Sequence, residues 1–225
     1  MNWFSRAITS TIGRKLVMGL TGLFLIAFLV VHCSVNTLVF LNDDGEAFNK
    51  AAHFMATNLF IRVGEVVLFA GLLVHIVQAF MLQIFNRNAR STPYASMKNS
   101  STWYSRSMGL LGTLILMFLI IHLVQFWVKS RFTGLSPVSY DGEEYENLYE
   151  VMVMAFSQLW VVIVYVLAMV SLCYHLMHGF QSAFQTLGLN HNKYTPVIKF
   201  IGVAFSLVVS TVFALMPVVM YLQNR

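Results

Sequence analysis

Five long apolar runs, at about 15–41, 59–85, 106–130, 150–186 and 196–222, dominate this chain, and each is long enough to cross a bilayer as a helix. Only 10% of the 225 residues are charged and 58% are hydrophobic, whereas soluble domains carry about 25% charged residues. The expected fold is therefore all-α: a single integral membrane domain, 1–225, of five transmembrane helices. No small-residue cleavage pattern follows the first run, so that run is read as a retained helix and not as a signal peptide.

Polar, turn-rich segments separate the runs: Asn42-Asp43-Asp44-Gly45, Asn86 to Ser105, Gly134 to Asn147, and Gly188 to Thr195. Gly188 is an expected C-cap for the fourth helix, and Thr195-Pro196 an expected start for the fifth. The fourth run is too long for one perpendicular span and is expected to tilt or project. Pro217 is expected to kink the last helix.

Charge sets a direction. Arg6, Arg14 and Lys15 precede the first run, Arg87, Arg90, Lys98 and Arg106 lie between the second and third, and Lys193 and Lys199 flank the fourth loop. The other two loops carry Asp43, Asp44, Glu46, Asp141, Glu143, Glu144, Glu146 and Glu150. The positive-inside rule then places the N-terminus in the cytoplasm and the C-terminus outside. The net charge of +5 is thus a topology signal, and no nucleic-acid partner is expected.

Cys33 and Cys173 both fall in apolar runs and read as packing residues. Two thiols are too few for an iron–sulfur cluster, and no Cys-x-x-Cys-His element exists for covalent haem.

Histidine carries the chemical signal. His32, His75 and His122 lie on the first three runs, and His175 and His178 on the fourth. An ionisable group in lipid is costly and marks a functional position, and paired imidazoles from facing helices can hold haem iron in a bundle. Helices one and three run outward with His32 and His122 late in each; helices two and four run inward with His75 and His175 or His178 past their middles. This gives an outer pair and an inner pair, hence two b-type haems. Gly22 and Gly112 each precede a histidine by ten residues, or about 15 Å of helix, enough to reach the inner level and admit a porphyrin there. Gly71 and Gly179 lie one helical turn from His75 and His175, and are expected to make similar room. The repeated spacing hints at duplicated hairpins. His53 and His191 fall in loops and are expected to be solvated.

The five spans, the histidines on the first four, the acidic first loop, Thr21-Gly22-Leu23-Phe24-Leu25 ahead of His32, and His175 followed by Gly179 and Gly188 together resemble the dihaem cytochrome b subunit of succinate:quinone oxidoreductases and quinol:fumarate reductases. The resemblance favours His175 over His178 as ligand. It implies an inner haem on His75 and His175, an outer haem on His32 and His122, and a quinone, expected to be menaquinone, as redox partner. It also implies an FAD-carrying flavoprotein and an iron–sulfur subunit on the cytoplasmic side of a bacterial inner membrane.

Glu65 is the one acid within the second span, ten residues before His75, and is a candidate acid/base for quinone chemistry or a simple ion-pair partner of Arg62. Glu46 and His53 are rival candidates. Cys173 stands where some members of that family carry a carboxylate. Arg14, Lys15, Trp103 and Arg106 are candidates for the inner haem propionates, or interface anchors. Competing readings are the haem b subunit of a hydrogenase or formate dehydrogenase, and a transporter without haem.

Overall fold

The computed structural model describes residues 10–88 and 102–223, so Arg6, Arg90 and Lys98 of the basic segments lie outside the described residues. Within them the chain folds as an all-α membrane bundle with five helices long and apolar enough to cross a bilayer. Helix α1 (Thr11–Asn36) opens on Ser10, whose Oγ accepts from the Gly13 amide at 3.0 Å, and ends in a 3₁₀ turn (Thr37–Phe40). Two helices follow, α2 (Glu46–Thr57) and the spanning α3 (Leu59–Asn88). A short α4 (Trp103–Arg106) precedes α5 (Met108–His122), which continues as a π-helix over Leu123–Thr133. A hairpin of β1 (Pro137–Tyr140) and β2 (Glu143–Glu146) leads to α6 (Leu148–Phe156), then to α7 (Leu159–Thr186) and α8 (Thr195–Gln223).

Helix α7 is the centre. It packs on α8, α5 and α1, while α3 leans mainly on α1. In the most apolar stretch of α3 no residue is buried by protein, against 39% in α7. Phe60 (87% exposed) and Phe200 (73% exposed) show what this means: side chains that water would penalise face lipid instead. Where helices do touch, small residues allow it. Gly19 of α1 lies against the Ala183 backbone of α7, Gly202 of α8 leaves room for Phe180, and Gly109 of α5 leaves room for Gln83 of α3.

The fourth apolar run is not one helix. Gln158 takes an extended conformation (φ −98°, ψ 115°), and the break separates α6 from α7. The cause is the polar Ser157-Gln158 step. Ser157 Oγ turns back to the Met154 carbonyl at 2.8 Å, and Gln158 accepts from Trp160 Nε1 at 2.7 Å. Gly188 does cap α7: at φ +80° its amide bonds the Gln185 carbonyl, and the Leu189 amide bonds that of Phe184, a Schellman pair. Pro217 sits fully buried inside α8, which runs on past it to Gln223.

The acidic end carries a cap that the sequence reading left as loops. Asp43 accepts from the amides of Gly45 and Ala47 (3.1 and 2.9 Å) and so starts α2. Asp141 and Gly142, both at positive φ, make the two-residue hairpin turn. Asn49, wholly buried, ties the parts together: its Nδ2 donates to Tyr140 Oη and Asn147 Oδ1, and its Oδ1 accepts from the Tyr149 amide at 2.9 Å. Gly45, at φ +83°, lies under the Tyr149 ring where no Cβ would fit. Lys50 bridges Glu46 (2.5 Å) and Asp141 (2.8 Å) on the surface of this cap. Hydrogen bonds from Lys50 to Asp141 and then Glu46 hold its ammonium above the usual lysine range, and the same bond holds Asp141 below the usual carboxylate range.

Candidate functional site

The bundle brings the helical histidines together in two pairs. His32 of α1 and His122 of α5 meet edge to face, with ring centroids 5.8 Å apart. His75 of α3 and His175 of α7 meet with centroids 6.4 Å apart at 65°. His178 turns aside to Tyr104, 6.4 Å away, so among the alternatives on α7 it is His175 that faces His75.

The two pairs lie at different depths. A Cβ on Gly22 would be 3.6 Å from His75 Cε1, and one on Gly112 would be 3.7 Å from His175 Cε1. Gly22 and Gly112 each lie ten residues before the histidine of the other pair, so the levels are separated by about 15 Å along the helices.

Packing fixes most of the outer pair, with one polar contact beside it: Asn36 Nδ2 lies 3.4 Å from His32 Nδ1. His32 stacks on Phe28, one turn earlier, at 5.2 Å, and leans on Phe213 of α8. His122 stacks on Phe118 at 5.6 Å and touches Phe126 and Tyr165. The Tyr165 hydroxyl donates to Gln125 Oε1 at 2.6 Å, which satisfies a polar group in an apolar wall.

At the inner pair the fixing is polar on one side only. Thr21 Oγ1 lies 3.1 Å from His75 Nδ1. Thr21 Oγ1 also lies 2.8 and 3.1 Å from the Val17 and Met18 carbonyls, and a hydroxyl that donates there has its lone pairs free to accept from His75. In that arrangement Nδ1 carries the proton and Nε2 keeps its lone pair. Among the described residues, the buried His175 Nδ1 and His122 Nδ1 have no hydrogen-bond partner.

These residues fit the expected group. A metal–imidazole bond of about 2 Å, with the ring centre about 1.2 Å beyond the nitrogen, puts two rings sharing one ion about 6.4 Å apart. The inner pair, at 6.4 Å, equals that span, and the outer pair, at 5.8 Å, is slightly closer. Among the described residues no cluster of three or more His, Cys, Asp or Glu side chains exists that could hold a metal ion.

Glu65 lies beside the outer level, ten residues before His75 on α3. Arg62 contacts its Oε2 at 2.5 Å, as the ion-pair reading expected. The sequence reading missed two further partners: Trp127 Nε1 donates to Oε1 at 2.5 Å, and Arg131 reaches Oε2 at 3.1 Å. Both stand on the π-helical end of α5, whose wider turn no apolar periodicity announces. Lys129 and Arg131, two cations at the end of the third run, were the available signal.

The remaining candidates are dispersed. Glu46 is paired with Lys50, and His53 of α2 packs edge-on to Tyr145, so His53 is not a free loop side chain. His191 is exposed. Arg14 lies over the Phe85 ring and Trp103 against Tyr174. Gly71 accommodates Phe24 and not open space, while nothing approaches Gly179. Cys33 is buried, Cys173 is partly so, and both are free thiols. No family model, curated protein or solved structure matches the chain.

Proposed function

We propose that this chain is the dihaem cytochrome b membrane-anchor subunit of a succinate:quinone oxidoreductase or quinol:fumarate reductase in a bacterial cytoplasmic membrane. The observation that carries the reading is the meeting of four imidazoles, from four spanning helices, as two pairs at two depths. When bound, two b-type haems supply one-electron transfer between the two faces of the bilayer. His32 and His122 hold the outer one, and His75 and His175 the inner one. Gly22 and Gly112 put no side chain of their own against the inner histidines, and the aromatic rings around His32 and His122 exclude water from the outer level.

Glu65 is the proton-handling group of the proposal. Its carboxylate oxygens are held by Trp127, Arg62 and Arg131 beside the outer pair, where a quinone undergoing redox chemistry exchanges protons. The basic segments set the inner end in the cytoplasm, where a flavoprotein and an iron–sulfur subunit dock and dicarboxylate chemistry occurs. Menaquinone is the proposed quinone.

Purification of the intact complex from native membranes tests the assignment. The expected material contains a covalent flavin, and succinate reduces its haems. Nickel or molybdenum in the partner subunits, or colourless protein, would overturn it. Glu65→Gln is expected to abolish quinone-linked turnover with both haems retained; unchanged turnover removes Glu65 from the mechanism.

A further inference from the structure

Two stretches of the bundle repeat each other. Gly22-Leu-Phe-Leu-Ile-Ala-Phe28-Leu-Val-Val-His32 on α1 matches Gly112-Thr-Leu-Ile-Leu-Met-Phe118-Leu-Ile-Ile-His122 on α5 in its glycine, phenylalanine and histidine positions. The match is structural as well. Phe28 and Phe118 both stack on the histidine one turn later, at 22° and 28°. Gly22 and Gly112 both touch Cε1 of an inner-pair histidine, at 3.6 and 3.7 Å from an added Cβ. The likeness fails at the preceding residue, Thr21 in one copy and buried Leu111 in the other. His75 Nδ1 accordingly has the Thr21 oxygen 3.1 Å away, while His175 Nδ1 is buried with no partner.

We infer that Thr21 is a positioning residue that makes the two inner imidazoles chemically unequal: by accepting the Nδ1 proton of His75 it fixes that ring's tautomer and orientation and makes it the more basic of the pair. This rests on the haem reading above. A hydrogen bond from Nδ1–H to an acceptor raises the electron-donating power of Nε2. A more basic ligand stabilises the oxidised iron, so the inner haem has a lower midpoint potential than the same site without the hydroxyl. The outer haem, about 15 Å away along the helices, is outside the reach of this bond.

The test is a spectroscopic redox titration of the whole purified complex carrying Thr21→Val, Thr21→Ser or Leu111→Thr, with haem content measured alongside. The inner component is identified as the one that His75→Ala removes. Thr21→Val, close in shape but without the hydroxyl, is expected to raise the inner midpoint and leave the outer one unmoved. Thr21→Ser is expected to restore the wild-type value. Leu111→Thr, which offers His175 the same acceptor, is expected to lower the inner midpoint. Loss of the inner haem in Thr21→Val with retention in Thr21→Ser also supports the role. Fully loaded Thr21→Val with both midpoints unchanged, or with both shifted equally, overturns it while leaving the haem reading intact. A wild-type complex without haem bands overturns both.

Discussion

Around His32 and His122 the bundle supplies rings and one long amide contact from Asn36; around His75 and His175 it supplies bare backbone and one hydroxyl. The outer pair is enclosed by Phe28, Phe118, Phe126, Tyr165 and Phe213, next to the tight core of Phe156, Val161, Met216 and Met220 under the cap. The inner pair rests on Gly22 and Gly112, with Thr21 as the one polar contact. In the first region side chains hold the imidazoles by filling space. In the second, the lack of side chains creates the space, and orientation depends on a hydrogen bond. Substitutions that add atoms should therefore damage the inner level, and those that remove atoms should damage the outer.

The largest effect is expected from adding bulk at the inner level. If the proposed haem reading holds, Gly22→Leu or Gly112→Leu should cut haem content from two to one per chain, the outer haem surviving, as read by pyridine haemochromogen assay. Gly22→Ala is the finer probe, because its Cβ meets His75 at an ordinary 3.6 Å and the protein alone accommodates it. Retention of both haems in Gly22→Leu would break the comparison. Next comes Phe118→Ala at the outer level. It removes the ring stacked on His122 and should cost about 2–4 kcal/mol, lowering the thermal midpoint of the protein in detergent while the inner haem is unaffected.

Smaller effects should follow in the cap that lies over the outer region. Asn49→Leu leaves the Tyr149 amide without its partner, while Asn147 Oδ1 keeps the Glu150 amide, a loss of about 1–3 kcal/mol, seen as faster hydrogen exchange over residues 46–57 and 137–150. The smallest effect concerns pH. Asp141 is held below its usual range by Lys50, so its contribution is present above the unfolded carboxylate value near ~3.9 and fades as pH falls through the lower folded value. Lys50 is held above its range by Asp141 and Glu46, so its contribution is complete below ~10.4 and fades as pH rises through the folded value. Hairpin protection should thus be flat between these limits and fall outside them, and Lys50→Met should remove the dependence. Asp141 is exposed and Lys50 only partly covered, which keeps the effect small.

Length and composition were sufficient to read the five spans, because lipid demands about 20 apolar residues whatever the neighbours are. The break at Ser157-Gln158 was visible only as two polar residues in a run of apolar ones, and its effect depends on Gln158 binding Trp160. The hairpin had a local signal, Asp141-Gly142 between alternating residues, that the acidic composition of the loop masked. Histidine depth could be counted from helix rise, and the Gly22 and Gly112 contacts fall at the levels so counted. The Trp127 and Arg131 contacts to Glu65 could not, since they depend on a π-helical turn and on two helices that pack only weakly, α3 and α5. Hydrogen bonding at Nδ1 likewise depends on which residue of a neighbouring helix faces the ring, a relation that spacing within one helix does not encode.

Haem content in the four single variants His32→Ala, His122→Ala, His75→Ala and His175→Ala, beside His178→Ala, tests the central claim most directly. Loss of the same one spectral component in the first two, loss of the other component in the next two, and retention of both in His178→Ala is the predicted result. Correctly assembled wild-type protein without haem, or two haems retained in each of the four variants, would contradict it.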